Sequence, residues 1–383
     1  MLTVLGILLG ILVVFAITAL TGYFVAQEFA FMAVDRSRLA ARAGQAMARW
    51  LAPGLKLGLK LGLKLGLTLG LALLCGAAPA AAAPPVEFVA LGDMPYGSDF
   101  TVGPAYRHLI RQVNALGLPL ALHLGDFKDG LAVCSDAGYA QQAAYFGRFA
   151  GALVYTPGDN DWLDCRRRGA DPLERLDALR RRFFGASRSL GRRPIAVERQ
   201  PEVQPGHADY RENLRWWLGD VLFATFHTVG PDNAGAERDG ALNAASRRRD
   251  DANVAWLQAA FALARARHAS ALVLATQGDP LHYPHHHLKA ELRPGFERSV
   301  GDTLLPLAAQ ASQPVLLVHG DTHEFHFDQP FMDAAGRPLQ NLWRLEVPGH
   351  PRMHAVKVRV QPGAQRPFSA EMVWNPMSPD PGH

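Results

Sequence analysis

The chain has 383 residues, of which 49% are hydrophobic and 19% are charged, a composition typical of a folded globular protein. The formal net charge is only +4, and the arginines are scattered rather than arranged in a stripe, so no specific nucleic-acid partner is indicated. The length predicts two or three structural units.

The first 85 residues contain two apolar segments. Leu2–Val34 carries one charged side chain, Glu28, and is long enough to cross a bilayer. Leu65–Ala83 is apolar again, and the basic residues between the two segments predict a cytoplasmic loop under the positive-inside rule. An alternative interpretation is a secretory signal peptide that starts at Met47 and ends in a run of alanines. Both interpretations place residues 86–383 outside the inner membrane, in the periplasm or secreted, and the first also anchors them to that membrane.

Composition shifts divide the chain into three parts. Residues 1–46 form a hydrophobic membrane segment, with a fusion fragment or a start-site error as the alternative origin. Residues 47–85 form the signal peptide or second membrane segment, and Pro84-Pro85 marks its end. Residues 86–375 form the main domain.

A short apolar run that ends in a Gly-Asp pair occurs repeatedly in the main domain, and each run reads as a buried strand followed by a tight turn. The five runs and the motifs that follow them are Val86–Leu91 with Gly92-Asp93, the run from Leu120 with Gly125-Asp126, Ala152–Thr156 with Gly158-Asp159-Asn160-Asp161, Ala271–Thr276 with Gln277-Gly278-Asp279, and Val315–Val318 with Gly320-Asp321-Thr322-His323.

Helical segments alternate with these strands, and this alternation predicts an α/β fold with a largely parallel sheet. The predicted helices are Gly103–Leu116, Tyr139–Ala150, a helix from Pro172 to about Phe184 capped by Asp171, Asp251–Arg267, and one near Asp302–Ala311. We expect residues 185–215 to be irregular, and Val221–Thr228 to be a strand that carries His227. Alternation within Leu339–Val373 predicts late strands in a second sheet.

The strand ends predict a metal site. We expect all five to meet at one edge of one sheet, where ligands bind in open α/β folds. Several carboxylates so close together repel one another, and one or two divalent cations would resolve the conflict. A pair of metals bridged by one carboxylate suits the hydrolysis of phosphate esters.

In their order and spacing, the motifs resemble those of the calcineurin-like metallophosphoesterase family, over about residues 86–360. That family reads DxH, GDxxD, GNHD/E, a lone His and GHxH. Gly125–Asp129 matches in full, whereas Pro95, Asn160, Gln277 and Asp321 each stand where the family has a histidine. The pattern resembles a divergent bacterial branch. It implies a sandwich of two mixed sheets flanked by helices, preceded by one or two N-terminal hydrophobic helices.

The resemblance also implies roles for single residues. The first metal would be held by Asp93, Asp126 and His323. The second metal would be held by Asp126, which bridges, with Asp159 (or Asn160), Gln277 and Asp321. So many oxygen donors favour Mn²⁺, Mg²⁺ or Ca²⁺ over Zn²⁺. Asp279 occupies no ligand position of the family pattern.

The candidate catalytic residues are Asn160, His227 and Lys128. Asn160 replaces the histidine that would protonate the leaving group, and His227 or the His285–His287 run are the candidates to supply that proton. Lys128 would neutralise phosphate charge. For each of these side chains, a structural role is the alternative.

Cys134 and Cys165 each follow a strand-end motif by a few residues, and in an oxidising compartment they could close a disulfide. The alternative is two unrelated thiols. The third cysteine, Cys75, lies in the leader-like region.

Three functions are considered. The first is an exported metal-dependent phosphoesterase that acts on a small phosphate ester. The second is a non-catalytic module that binds metal or phosphate on the same fold. The third is magnesium transport or sensing, because residues 5–44 contain GYFVAQEFAFMAVDRSRLAARAG, which resembles the first membrane segment of CorC/CNNM-type magnesium transporters. The sequence leaves the oligomeric state open.

Overall fold

A computed structural model describes residues 84–235, 239–283, 290–333 and 335–380. The chain divides into two compact units, Met1–Ala81 and Ala82–His383, and the described residues all belong to the second. The predicted membrane segments, signal peptide and transporter-like stretch lie outside the described residues, except for Pro84 and Pro85. Among the described residues, no helix is both long and apolar enough to span a bilayer.

The strands of the described part are β1 (Val86–Leu91), β2 (Leu120–His123), β3 (Ala152–Tyr155), β4 (Leu190–Gly191), β5 (Glu198–Arg199), β6 (Leu214–Leu218), β7 (Val221–Thr225), β8 (Ala271–Ala275), β9 (Leu281–His282), β10 (Glu291–Leu292), β11 (Val315–His319), β12 (His326–Asp328), β13 (Leu342–Glu346), β14 (Ala355–Val360) and β15 (Phe368–Val373). The helices are α1 (Gly103–Ala115), α2 (Asp136–Phe146), α3 (Asp159–Trp162), α4 (Pro172–Phe183), α5 (Gln200–Val203), α6 (Gly240–Ala266) and α7 (Leu305–Gln310), with 3₁₀ turns at Leu163–Arg168 and Pro205–His207 and a π-helix at Glu297–Leu304.

Two large mixed sheets form the centre of the domain, as predicted. The first has the order β15-β14-β1-β2-β3-β4, with β1, β2 and β3 parallel. The second has the order β12-β13-β11-β8-β7-β6-β5, with β13, β11, β8 and β7 parallel. The strands near the carboxyl terminus are divided between them, since β13 joins the second sheet and β14 and β15 the first. β9 and β10 pair separately.

The alternation of side chains along the strands explains how the layers pack. In β7, Phe223 belongs to the core between the sheets and contacts Phe88 of β1 with ring centroids 5.2 Å apart. Leu222 points to the opposite face, where it packs with Trp256 and Leu257 of α6. On the first sheet, α1, α2 and α4 extend the same core. The result is a two-sheet sandwich flanked by helices.

Several predicted boundaries change. Helix α2 spans Asp136–Phe146 instead of the predicted Tyr139–Ala150, because Ser135 caps it by accepting from the Gly138 amide. Helix α6 starts eleven residues before the predicted Asp251, because Asp239 caps it by accepting from the backbone of Ala241 and Leu242. Residues 185–215 contain β4, β5 and α5, which are too short to leave a pattern in the sequence. The helix predicted near Asp302 starts as a π-helix at Glu297. By contrast, Asp171 caps α4 as predicted, through the Leu173 amide.

The predicted pairing of Cys134 with Cys165 is confirmed. Their sulfur atoms are 1.89 Å apart and their Cα atoms 5.5 Å apart. The bond joins the loop between β2 and α2 to the 3₁₀ turn that follows α3.

Candidate metal centre

The loops after the predicted strands bring the acidic residues together, but they come from two sheets and not from one. Asp93, Asp126 and Asp159 follow β1, β2 and β3 of the first sheet, whereas Asp321 follows β11 of the second. We call these four residues the strand-end cluster. The backbone N–H of Asp321 lies 3.2 Å from both carboxylate oxygens of Asp93, which links the two sheets directly.

Glycines create the space for these carboxylates. A methyl group at Gly158 would overlap the Asp126 carboxylate, and one at Gly320 would overlap that of Asp93. In each case, the glycine of one Gly-Asp pair accommodates the aspartate of another strand. The repeated Gly-Asp pairs are therefore explained by packing between strand ends.

Three of the four cluster residues have left-handed backbone conformations. The φ angles are 52° at Asp93, 51° at Asp126 and 85° at Asp321, and His323 is left-handed as well, with φ of 65°. Such conformations cost of order 1–3 kcal/mol each in non-glycine residues and concentrate at functional sites. These backbone conformations therefore mark the strand-end cluster as a candidate functional site.

Burial and repulsion from nearby carboxylates raise the pKa of every carboxyl in the strand-end cluster. Burial is the largest cause at each of the four residues, and repulsion from another aspartate adds to it at each. The pKa of Asp321 rises to about 6. A divalent cation between the carboxylates would remove this penalty.

The strand-end cluster offers carboxylate oxygens, the type of ligand that a hard divalent cation prefers. Asp159 has a buried Oδ1 that lacks any hydrogen-bond partner, which is unusual for a buried carboxylate. Asp126 is held by the backbone amide of Asn160, which donates to Oδ1 at 3.0 Å. The set combines carboxylate oxygens with one imidazole, His323, at the half-buried mouth of the site.

His323 has the orientation of a ligand. Its Nδ1 donates to the backbone oxygen of His350, so in the neutral ring Nε2 carries the lone pair. Nε2 lies 3.3 Å from the hydroxyl of Tyr96. That hydroxyl also accepts from Asn160 Nδ2 at 3.0 Å and donates to Asp126 at 3.4 Å. Tyr96 was missed by sequence reasoning, and its position three residues after Asp93 is the signal that could have identified it.

Asp161, the last residue of the GDND motif, uses its carboxylate to hold neighbouring turns together. Its carboxylate accepts from the backbone amides of Asp126, Phe127 and Gly158 and from the Tyr155 hydroxyl. These bonds hold the turns after β2 and β3 together, and burial raises its pKa to about 6.

Gln277 reaches the strand-end cluster through its nitrogen. Nε2 donates to Asp126 Oδ2 at 3.2 Å, while Oε1 accepts from the Gly230 amide at 3.0 Å. An amide nitrogen does not bind a metal ion, so this geometry suits a residue that positions Asp126. The ligand role that the sequence predicts for Gln277 would need the amide to reverse.

Lys128 lies two residues after Asp126, and the negative charges of Asp161 and Asp126 act on it, although burial lowers its pKa. A cavity of about 470 Å³ opens beside it and is lined also by Pro95, Phe127, Tyr139 and Tyr145. Pro95 and Phe127 are the chain neighbours of Tyr96 and Asp126, so the cavity lies next to the backbone of both residues.

His227 lies in a different environment. It is fully buried, its Nδ1 is 2.8 Å from Glu212, and its backbone amide bonds to Asn253. Burial lowers its pKa to about 4, so the imidazole is neutral at physiological pH. The structure places this predicted proton donor in a buried network, and His285–His287, the other candidates, lie outside the described residues.

Comparisons with known proteins give a loose likeness in fold. No family model and no curated protein matches the sequence. Among solved structures, GAP50, the anchor in the inner membrane complex of Plasmodium, is 9% identical with a TM-score of 0.45, over 77% of this chain and 86% of that chain. Purple acid phosphatase PPD1 from seeds of yellow lupin (Lupinus luteus) is 12% identical with a TM-score of 0.46, over 76% and 51%. The protein TT1561 of Thermus thermophilus is 10% identical with a TM-score of 0.38, over 76% and 100%. With TM-scores below 0.5, the chemistry has to be inferred from the residues of this chain.

Proposed function

We propose that residues 86–375 form an exported metal-dependent phosphoesterase that hydrolyses small phosphate mono- or diesters. The observation that carries the proposal is the strand-end cluster, in which four carboxylates from two sheets lie together although burial and nearby negative charges raise the pKa of each. Carboxylate oxygens that the backbone holds close together are ligands that divalent cations such as Mg²⁺ and Ca²⁺ prefer.

Asp93, Asp126 and His323 would hold one metal, and Asp126, Asp159 and Asp321 a second. When bound, such ions lower the pKa of a water molecule and neutralise charge on a phosphoryl group. The donor set favours Mn²⁺, Mg²⁺ or Ca²⁺. Gln277 would position Asp126 through the bond described above.

The remaining residues support phosphate binding. Lys128 supplies a positive charge beside Asp126, and the cavity next to it offers room for the organic group of an ester. The Tyr96 hydroxyl lies between Asn160 and His323 and would contact an oxygen of the ester.

The proposal is tested by hydrolysis of p-nitrophenyl phosphate, its bis ester and a panel of nucleotides, with Mn²⁺ or Mg²⁺ and after chelation. We expect turnover that disappears with the chelator and returns with the metal. Absence of metal-dependent turnover on every compound contradicts the proposal.

A non-catalytic binding module is the second candidate, and one observation favours it. The family's leaving-group acid is replaced by Asn160, whose side-chain amide is occupied by Tyr96 and cannot donate a proton to an ester. Metal analysis separates the two functions. Stoichiometric metal without turnover favours the binding module, and a protein that binds no metal excludes both.

The proposal of export is supported by the Cys134–Cys165 disulfide, since disulfides persist in oxidising compartments. Anchoring to the inner membrane rests on the apolar segments outside the described residues. Sequencing the N-terminus of the purified mature protein tests both, because cleavage near Pro84 removes the apolar segments and the transporter-like stretch together.

A further inference from the structure

A second group of potential ligands lies behind the strand-end cluster, at the ends of three adjacent strands of the second sheet. His319 ends β11, Glu346 ends β13, and Asp279 follows β8, and β11 is hydrogen-bonded to both neighbours. We call Asp279, His319 and Glu346 the buried triad. One ligand atom from each lies within 4.8 Å of the others, and the exposed fractions are 4%, 0% and 1%.

The hydrogen bonds of His319 leave one ring nitrogen facing this group. Nδ1 bonds to the backbone oxygen of Gly320 at 3.0 Å, which places the hydrogen on Nδ1. Nε2 then carries a lone pair, is buried, and has no hydrogen-bond partner. This is the usual arrangement of a histidine that binds metal, with one nitrogen fixed by a carbonyl and the other free.

The distance from His319 to Asp279 also fits a shared metal. Nε2 and Asp279 Oδ1 are 3.7 Å apart, which is too far for a hydrogen bond. Two ligands on a tetrahedral zinc ion, each at about 2.1 Å, lie about 3.4 Å from each other. A lone pair that faces a carboxylate oxygen at this distance is unfavourable unless a proton or a metal ion lies between them.

The carboxylates of the triad are themselves held in place. Glu346 accepts from the Thr322 hydroxyl and lies 2.8 Å from His326 Nδ1. Asp279 Oδ1 accepts from the Leu281 amide. Two arginines also contact the carboxylates, since Arg293 donates to Asp279 Oδ2 at 3.4 Å and Arg344 lies 4.0 Å from Glu346. Each makes a shorter contact elsewhere: Arg293 donates to the Leu281 carbonyl at 2.7 Å, and Arg344 is 2.6 Å from Asp328.

We propose that the buried triad binds a divalent transition-metal ion, zinc in the first instance, at a site separate from the strand-end cluster. One imidazole nitrogen with two carboxylates suits zinc, whereas the oxygen-rich cluster suits harder cations. The ion would join the ends of β8, β11 and β13. It would also support Asp321, because the backbone N–H of Asp279 donates to that carboxylate at 3.2 Å. The proposal does not depend on phosphoesterase activity.

The test uses a parent protein in which Asp126→Asn and His323→Gln remove two predicted ligands of the other site. The parent is equilibrated with ZnCl₂, desalted and analysed for zinc by mass spectrometry. We expect about one zinc per chain in the parent, and at least fivefold less once His319→Gln is added. His326→Gln is the matched control, because it removes a histidine that contacts Glu346 but is no member of the triad, and we expect it to retain the zinc.

Two results overturn the proposal: a parent that retains no zinc, or equal zinc with and without His319. X-ray absorption of the zinc-loaded parent gives a second readout that needs no variant of the triad, should His319→Gln prevent folding. Scattering from one imidazole together with oxygen ligands supports the site, and its absence refutes it.

Discussion

The side chain of Gln277 joins the two sheets, because its Nε2 donates to Asp126 Oδ2 at 3.2 Å across the interface between them. Gln277 follows β8 of the second sheet, and Asp126 follows β2 of the first. Its oxygen is taken by the Gly230 amide, which fixes the direction of the bond. Asp126 is thereby oriented from the opposite sheet.

Replacing Gln277 with Leu should therefore lower turnover but leave metal content unchanged. Loss of a hydrogen bond that orients a metal ligand typically costs about 10–100-fold in activity or affinity, and we expect about tenfold in kcat because Asn160 still holds the other oxygen of Asp126. Turnover and bound Mn²⁺ are measured on the same sample. A stoichiometric loss of metal would show instead that Gln277 is a ligand.

Asp126→Asn should abolish hydrolysis and reduce metal content while the domain stays folded. The amide keeps the size of the side chain but removes the charge, and loss of one clustered carboxylate relieves repulsion in the metal-free protein. Metal content, turnover and near-UV circular dichroism provide the measurements.

The control for this variant is Asp177→Asn, an exposed residue on α4. Asp279 is unsuitable, although the sequence alone predicts a mild effect there, since its backbone amide donates to Asp321 and its carboxylate belongs to the buried triad. If Asp126→Asn keeps near wild-type metal and turnover, Asp126 does not bridge two ions.

Removing the disulfide should destabilise the domain by about 3–4 kcal/mol, the chain-entropy value for a closed loop of this size. The two cysteines are 31 positions apart, and both are buried. The double variant Cys134→Ser with Cys165→Ser leaves no unpaired thiol at this position, and urea unfolding at pH 7 gives its stability. Reduced wild-type protein should match the variant. An unchanged free energy of unfolding would mean that the bond does not form in solution.

His227 should make the stability of the domain depend on pH between about 4 and 6.5. Its pKa is lowered to about 4 in the folded protein, chiefly by burial, so the unfolded chain binds more protons in this range and acid favours unfolding. A shift of this size corresponds to about 3 kcal/mol, fully present above pH 6.5 and lost as the pH falls towards 4.

The variant His227→Gln isolates this contribution, because it lacks the titrating group while other groups titrate as before. The difference in the free energy of unfolding between wild type and variant should shrink by up to about 3 kcal/mol from pH 7 to pH 4.5. A constant difference would show that His227 titrates alike in the folded and unfolded states, as an exposed proton donor would.

The sequence predicts an element well where residues close in the chain determine its bounds, as an apolar run does for a strand and a capping residue does for a helix. β1 begins and ends where its apolar run does, and the Asp171 cap places the start of α4. The Gly-Asp pairs are visible because a strand end needs both a tight turn and space for a neighbouring carboxylate. The disulfide is predictable because so few cysteines are present.

The division of the strand ends between two sheets was not predicted. A buried strand reads as the same apolar run whichever sheet it joins, so β8 and β11 could not be distinguished from β1, β2 and β3 by sequence. Gln277 and Tyr96 lie 151 and 30 residues from Asp126, so the sequence places both near strand ends but does not show that their side chains contact that aspartate.

The sequence by itself therefore determined which residues carry the carboxylates and that they end buried strands, and it named the two cysteines that could pair. Only the tertiary structure decided which groups face one another. It placed His227 with Glu212 in the interior and turned the Gln277 nitrogen towards Asp126. It also brought His319 against Asp279. The physical reason is that burial, repulsion and hydrogen bonding between distant residues depend on distances that only the packing of the two sheets fixes.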